Sequence, residues 1–138
     1  MEEIKIRIDG QTPTVNHLYG HTMRGGFYMK PLAKSLRVEI VEAVTESAKS
    51  QGFVHSDWCE RLLEVSVIIV EDWWTKKHTV KKKDISNREK FLIDSIFQGL
   101  GLDDQNIWKH TMQKRECLAQ DIPEYYAEVI ISKFRNVE

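Results

Sequence analysis

Carboxylates and lysines are interspersed along residues 81–104, which read KKKDISNREKFLIDSIFQGLGLDD. Carboxylates are the ligands that Mg²⁺ and Mn²⁺ prefer in proteins, and lysines bind phosphates. Metal-assisted cleavage of a phosphodiester requires both kinds of group in one place. The candidate residues for such chemistry, in chain order, are Asp84, Lys90, Asp94, Asp103 and Asp104.

Basic residues are concentrated in and just before this stretch. Residues 76–90 hold seven of the 20 lysines and arginines, although the formal net charge of the chain is −1. Such local asymmetry predicts a basic patch that makes salt-sensitive contacts with nucleic-acid phosphates. The predicted nucleic-acid-binding residues are Lys76, Lys77, Lys81, Lys82, Lys83, Asn87, Arg88 and Lys90.

The same residues also have purely structural interpretations. Asp84 could lie near a helix N-terminus, where the helix dipole favours acidic groups. Ser86 is best interpreted as a helix N-cap. Lys90 and Asp94 could form an ordinary i,i+4 pair, and the Asp-Asp pair after the helix could belong to a turn. The joint occurrence of these residues beside the lysines favours the functional interpretation.

Two consecutive tryptophans, Trp73 and Trp74, stand next to the basic patch. An exposed indole could act as a wedge between unstacked DNA bases, or it could close the core at the end of a strand. Because consecutive strand residues face opposite sides of a sheet, we expect at least one of the two to be buried.

The cysteines and histidines do not form a metal motif. Cys59 and Cys117 are far apart, neither belongs to a CxxC pair, and the five histidines show no ligand spacing with them. This pattern excludes a structural zinc site and is typical of free thiols in a reducing compartment. The first ten residues lack an apolar signal core, and no apolar run reaches membrane-spanning length. We therefore expect a cytoplasmic protein that contacts no membrane.

Hydrophobic periodicity predicts the elements that must position these side chains. The chain has 138 residues, 41% hydrophobic and 30% charged, which suits one globular domain over residues 1–138. The order β, α, β, α, β, β indicates an α+β domain, with two main helices on one face of a small mixed sheet. The predicted elements are strand Ile4–Ile8, loop Thr12–Tyr19, a loop or hairpin over His21–Met29, helix Pro31–Gln51 capped by Gly52, strand Leu62–Val70, helix Ser86–Leu100, and strands Ile107–Cys117 and Tyr125–Phe134.

The helix that begins at Ser86 has the clearest signals. Residues 86–89, SNRE, match the capping box, in which Ser and Glu side chains bind unpaired backbone N–H groups. The predicted apolar face comprises Phe91, Leu92, Ile96 and Phe97, and a separate polar stripe comprises Asn87, Lys90 and Asp94.

The length of this helix raises a question about the carboxylates, since Asp84 precedes it and Asp104 follows it. A straight helix from Ser86 to about Phe97 is about 18 Å long, and metal–carboxylate distances are about 2.0–2.6 Å. One ion cannot contact both ends. Either the chain folds back along the helix, or a partner subunit related by a two-fold axis supplies the second carboxylate.

The segment resembles the signature of RusA-type Holliday junction resolvases. That signature has an Asp-x-Asp-Asn-x-x-Lys stretch entering a helix, a later helical Asp, a Gly-containing turn and an Asp-Asp pair. The core resemblance covers about a sixth of the chain, and Asn16 with Pro13 also matches an early loop of the family. The matching positions are Asp84, Asn87, Lys90, Asp94, Asp103 and Asp104.

The resemblance implies a small homodimeric endonuclease that uses Mg²⁺ or Mn²⁺ to nick four-way DNA junctions, in a nucleoid-associated and often phage or prophage setting. It implies that Asp84 and Asp104 are metal ligands, with Asp103 as a further candidate ligand. It also implies that Lys90 contacts the scissile phosphate or stabilises charge there. Ser86 departs from the family, because it stands where the second Asp is expected. A junction-binding protein without cleavage activity is therefore the alternative, and cleavage of RNA or flapped DNA is a third hypothesis.

Overall fold

Two α-helices and six strands make up the part of the chain that the computed structural model describes, namely residues 2–10, 19–21, 23–25, 27–74, 76–80, 86–117 and 124–135. Short 3₁₀ turns at His55–Asp57 and Asp104–Asn106 separate some of these elements. The elements are β1 (Glu3–Asp9), β2 (Tyr19–His21), β3 (Phe27–Met29), α1 (Pro31–Ser50), β4 (Leu63–Glu71), α2 (Ser86–Leu100), β5 (Ile107–Glu116) and β6 (Tyr126–Lys133).

The main sheet has four strands in the order β1-β6-β4-β5. Strand β6 runs antiparallel to both of its neighbours, whereas β5 runs parallel to β4. A parallel neighbour needs a crossover connection, and α2 lies within that connection. Strands β2 and β3 form a separate two-stranded hairpin. The predicted α+β fold with a mixed sheet is confirmed.

Alternating side chains on three strands form one apolar face. On the central strand β4, the residues at every second position from Leu63 to Ile69 are fully buried. Three neighbours on β6 and two isoleucines of β1 are buried in the same cluster, namely Ala127, Val129, Ile131, Ile4 and Ile6. Both helices contribute to this core, so they cover the same side of the sheet. The helical contributors include Ile40, Val44 and Ala48 from α1, and Phe91, Leu92, Ile96 and Phe97 from α2.

Strand β5 continues this face with two polar residues and one methionine. His110, Met112 and Lys114 pair in register with Val65, Val67 and Ile69 of β4, so they point to the helix side. All three are more exposed than their apolar partners, which are completely buried. The helix side of the sheet therefore becomes polar at its β5 edge, beside α2.

The two helices approach closely at Gly99, near the end of α2. A Cβ atom built on Gly99 would lie 2.9 Å from Val44 Cγ1 and 3.2 Å from the carbonyl oxygen of Val41. The hydroxyl of Thr45, on the same stretch of α1, donates to the Gly99 carbonyl oxygen at 3.4 Å. Glycine thus sets the distance between the helices at the point where α2 ends.

The predicted element boundaries agree with the structure to within one or two residues for the helices and the long strands. The hairpin expected around residues 27–29 is formed by β2 and β3. Gly52 follows the cap residue Gln51 of α1 and has a φ of +82°, the left-handed conformation that ends many helices. The predicted loop Thr12–Tyr19 lies outside the described residues except for Tyr19, which belongs to β2. No described helix is both long and apolar enough to cross a membrane.

Candidate functional site

The chain reverses direction immediately after α2 and brings the Asp-Asp pair back to the helix. The backbone N–H of Leu102 donates to the Phe97 carbonyl at 3.0 Å, and that of Gly101 donates to the Gln98 carbonyl at 3.2 Å. Gly101 has a φ of +67°, which the turn requires and which glycine adopts without strain. The turn brings Asp104 to Asp94 within one chain. Asp84 lies outside the described residues, so whether Asp104 meets Asp84 of the same subunit or of a partner stays a prediction.

The result is a pair of carboxyl groups, Asp94 from the middle of α2 and Asp104 from the turn. Burial raises the pKa of Asp94, and the negative charge of Asp104 raises it further. Arg37 and Lys90 act in the opposite direction, because their positive charges favour the ionised carboxylate. A hydrogen bond between the two carboxyl groups also raises the pKa of Asp94. Two acids are thus held in contact, although like charges repel at this distance.

This carboxyl pair borders two surface cavities. The larger cavity, about 510 Å³, lies between α2 and the start of β5. The smaller one, about 380 Å³, lies over the turn that follows the helix. Both include Asp94 and Asp104 in their walls, so the pair is accessible from two sides. The larger cavity is lined by Glu89, Lys90, Ile93, Asp94, Asp104, Ile107 and His110.

A second polar pair stands in the wall of the larger cavity. His110 Nε2 lies 3.2 Å from Glu89 Oε1, and the two side chains are 28% and 15% exposed. Burial raises the pKa of Glu89, the His110 side chain lowers it, and the charge of Asp94 raises it. Glu89 is therefore close enough to the carboxyl pair to interact with it electrostatically.

Arg37 reaches the same region from α1. Its Nε donates to the hydroxyl oxygen of the buried Ser95 at 3.3 Å, and its guanidinium lies 5.0 Å from the centre of the Phe91 ring. Its charge also lowers the pKa of Asp94. The guanidinium is thus fixed between the core and the carboxyl pair.

Sequence reasoning did not single out Glu89, His110 or Arg37 as site residues. The capping-box pattern predicts only a structural role for Glu89. The available signal for His110 was its position on β5, where a polar side chain faces the helix side beside the buried strand β4. No local pattern connects Arg37 to Asp94, because the two lie on different helices.

The two residues of the Asp-Asp pair have different surroundings. Asp103 Oδ1 accepts from the backbone N–H of Gln105 at 3.0 Å, and its Oδ2 accepts from Gln105 Nε2 at 2.7 Å. Asp103 therefore caps the 3₁₀ turn, as its structural interpretation predicts, while it also borders the smaller cavity. Asp104 faces Asp94 instead.

Several predicted residues cannot be placed relative to this site. Asp84, the three lysines at 81–83 and Asn16 lie outside the described residues. For Ser86, Asn87 and Arg88 the structure describes only the backbone, which forms the first turn of α2. Lys90 is described; its side chain is exposed and lines the larger cavity. Lys76 and Lys77 are exposed in a turn after β4.

The two tryptophans differ as expected. Trp73 is 4% exposed, and its Nε1 donates to the Arg115 carbonyl oxygen at 3.0 Å, so it closes the core and cannot act as a wedge. Trp74 is 47% exposed and forms an isolated bridge with Val80. The prediction that at least one indole is buried is confirmed, and only Trp74 remains a candidate for base stacking.

The donor chemistry of the carboxyl pair suits a hard divalent cation. Mg²⁺ usually keeps several waters and takes one or two protein carboxylates together with substrate phosphates. Asp94 and Asp104 supply two carboxylates, and a cation between them would relieve their repulsion. Within the described ranges, no three His, Cys, Asp or Glu side chains converge as a metal site. The family resemblance implies Asp84 as a further ligand, and Asp84 lies outside the described residues.

Comparison with known protein families gives one match that spans most of the chain. A sequence model of the family described as endodeoxyribonuclease RusA matches residues 9–127. The matched range includes α1, α2, β4, β5 and both cavities of the carboxyl pair. No curated protein matches the chain.

Proposed function

The chain belongs to the endodeoxyribonuclease RusA family, and from this premise we propose that it is a metal-dependent endonuclease that nicks four-way (Holliday) DNA junctions during recombination and repair. The observation that carries the proposal is the Asp94–Asp104 carboxyl pair, which borders an open cavity beside Lys90. Carboxylates for a cation and a lysine for phosphate are the groups that phosphodiester hydrolysis requires.

We assign the metal to Asp94 and Asp104, with Asp84 as the third ligand that the family resemblance implies. When bound, Mg²⁺ or Mn²⁺ neutralises charge on the phosphate and lowers the pKa of a coordinated water. Asp103 is a less suitable ligand, because both of its carboxylate oxygens already accept hydrogen bonds from Gln105. Arg37 lowers the pKa of Asp94 and so opposes part of the rise that burial and Asp104 cause.

Lys90 is assigned to the scissile phosphate. Its ammonium group is exposed in the cavity that Asp94 and Asp104 also line, so a phosphate there would lie close to both charges. Lys76 and Lys77 would contact phosphates farther along the DNA, together with the predicted lysines at 81–83. Such contacts depend strongly on salt and do not read the base sequence.

The proposal includes a homodimer in which each subunit carries its own Asp94–Asp104 pair. Asp94 and Asp104 meet within one chain, so the partner is not needed to bring them together. Two sites related by a two-fold axis suit symmetric nicking of a four-way junction, which itself has two-fold symmetry.

Cleavage of a labelled four-way junction tests the proposal. The junction and a linear duplex containing the same arm sequence are incubated with Mg²⁺, Mn²⁺ or EDTA. Nicking of the junction alone, with either metal and not with EDTA, is the expected result. Equal cleavage of the duplex, or cleavage in EDTA, would contradict the proposed activity.

Ser86 supports a second candidate, a junction-binding protein without cleavage activity. A serine hydroxyl is a neutral and weak ligand where the family signature has a carboxylate. The variant Ser86→Asp separates the two candidates, since Asp also caps helices well. A wild type that binds but does not cut, combined with a variant that cuts, would favour the binding protein.

A further inference from the structure

The Glu89–His110 pair has the geometry of a carboxylate that orients an imidazole. Glu89 lies on α2, and His110 lies on the helix side of the edge strand β5, so two different elements fix the pair. The Oε1–Nε2 distance is 3.2 Å. A neutral imidazole that donates its Nε2–H to a carboxylate presents Nδ1 as a hydrogen-bond and proton acceptor.

The position of the pair connects it to the candidate reaction. Glu89 and His110 line the same cavity of about 510 Å³ as Lys90, Asp94 and Asp104. A phosphate held at Lys90 and the carboxyl pair would therefore have an imidazole on an adjoining wall.

An ion pair on the other side of the sheet provides a comparison, because it is a surface pair and differs in burial from Glu89–His110. Lys109 Nζ lies 3.2 Å from Glu64 Oε1, the same separation as in the His110 pair. Its side chains are 57% and 37% exposed, however, and it lies on the face away from the helices. Such a solvated pair contributes about 0–1 kcal/mol and suggests no chemistry. The Glu89–His110 pair is more buried and faces the carboxyl groups.

We propose that His110 is the general base that activates the attacking water, and that Glu89 is the residue that positions it. This inference rests on the proposed nuclease function. The water oxygen forms a bond to phosphorus while one water proton moves to His110 Nδ1. The bond from phosphorus to the leaving oxygen breaks, and that oxygen takes a proton from solvent. The proton on His110 then returns to solvent, which restores the neutral ring.

Two substitutions of His110 separate proton transfer from packing. His110→Ala removes the ring, whereas His110→Gln retains an N–H that can donate to Glu89 but provides no basic nitrogen. Both should lower kcat for junction nicking about 100-fold, while KM and the junction Kd change by less than about twofold. Added imidazole should raise the nicking rate of His110→Ala at least about tenfold. It should not raise the rate of His110→Gln.

Glu89→Gln and Thr111→Ala complete the series. Glu89→Gln should lower kcat about tenfold, because the ring loses its charged partner but keeps its base. Thr111, next to His110 in the chain, pairs in register with Ser66 on the opposite face of the sheet and is exposed, so Thr111→Ala should retain wild-type rates. Thermal unfolding of every variant checks that the fold is intact.

The outcomes distinguish this inference from the proposed function. If the wild type cuts junctions and either His110 variant retains a kcat within about threefold of it, the general-base role is wrong and the nuclease assignment stands. A loss confined to KM or Kd, or restored activity in His110→Gln, likewise contradicts proton transfer. A wild type that cuts no junction under any metal condition overturns both. Nitrogen NMR of the metal-free protein gives an independent readout, in which an Nε2–H tautomer supports the inference and an Nδ1–H tautomer opposes it.

Discussion

On the side of the main sheet that the helices cover, the side chains at its two edges differ in exposure to solvent. At the β1 edge, Ile4 and Ile6 are 0% and 1% exposed and join the common core. At the β5 edge, the residues facing the same side are His110, Met112 and Lys114, and Met112 is 41% exposed. The helices cover the β1 edge at Ile4 and Ile6 and leave the β5 edge more open.

This difference shows how one helix can serve stability and a site together. The apolar residues of α2 pack on the centre of the sheet, where burial of each large side chain stabilises the fold by about 1.5–3 kcal/mol. The polar residues Lys90 and Asp94 lie at the side of that contact that faces β5, where they line the larger cavity together with the polar His110. The cavity with the carboxyl pair is the space left between these two polar surfaces.

A substitution of Asp104, at the open edge, should lower the nuclease activity of the protein without lowering its folding stability. Asp104→Asn removes one carboxylate of the pair, and we expect junction cleavage in Mg²⁺ to fall at least about 10³-fold, because charge neutralisation contributes several kcal/mol to such reactions. Junction binding should be unchanged or tighter, because less negative charge faces the phosphates. Single-turnover nicking and a gel-shift assay measure the two quantities. Asp57→Asn, at an exposed position of the first 3₁₀ turn, is the matched control and should cut normally.

The covered region should show the opposite behaviour. Phe91 of α2 is 0% exposed in the core, and Phe91→Ala should lower the free energy of unfolding by about 3–5 kcal/mol. Leu32→Ala provides the control, since Leu32 is 77% exposed on α1 and its loss should cost less than about 0.5 kcal/mol. Urea unfolding measures both values. Similar costs at the two positions would show that the helix–sheet core is not where stability resides.

The helix contact at Gly99 should be sensitive to a single methyl group. Gly99→Ala would bring a Cβ within 2.9 Å of Val44 Cγ1, and overpacking of this kind costs about 1–3 kcal/mol. Alanine's better helix propensity offsets about 1 kcal/mol of that cost. The double variant Gly99→Ala, Val44→Ala should be less destabilised than the sum of the single changes. Strict additivity in urea unfolding would contradict the close contact.

The smallest expected effect is a gain in stability at the open edge. Burial, followed by the charge of Asp104, raises the pKa of Asp94 above the ordinary value of 3.8. Asp94 therefore binds a proton more readily in the folded state than in the unfolded state. Its contribution to the stability of the wild type increases as the pH falls through the raised pKa, and it levels off below about 3.8. Asp94→Asn should therefore be more stable at neutral pH in EDTA, by about 0.5–1 kcal/mol after solvent screening.

This advantage of Asp94→Asn should decrease as the pH is lowered and disappear in acid, which thermal unfolding across pH can follow. Mg²⁺ should reverse the order, because a ligand that binds only the folded wild type stabilises it. An asparagine variant that is less stable than the wild type at neutral pH without metal would show that the carboxyl pair is not under repulsion.

The sequence predicts the local elements well because their signals are local. Helix α2 begins at Ser86 and ends at Leu100 as predicted, since a capping sequence and a Gly-containing turn lie at its ends. The strong β propensity of residues 63–70 likewise identifies the central strand. The resemblance to the RusA family is confirmed by the family match over residues 9–127.

The assembly of the site was less predictable, because its contacts join separate elements. The Asp94–Asp104 pair depends on how tightly the chain turns at Gly101, and a capping box gives no information about that turn. The Glu89–His110 contact depends on β5 running parallel to β4, which the alternation of residues alone does not establish. Arg37 lies 57 residues before Asp94 and on the other helix, so its effect on Asp94 depends on how α1 packs against α2.

The position of β6 in the sheet has a consequence for synthesis on the ribosome. Strand β6 lies between β1 and β4, yet it follows every other described strand in the chain. The unit β4-α2-β5 is contiguous, so it can assemble while the nascent chain is still being extended, whereas β1 has no partner in the sheet until β6 is made. We therefore expect the carboxyl pair to form before the sheet is complete. Closure of the sheet, with its long-range pairing of Glu3 and Ser132, is expected to be the late and slow step.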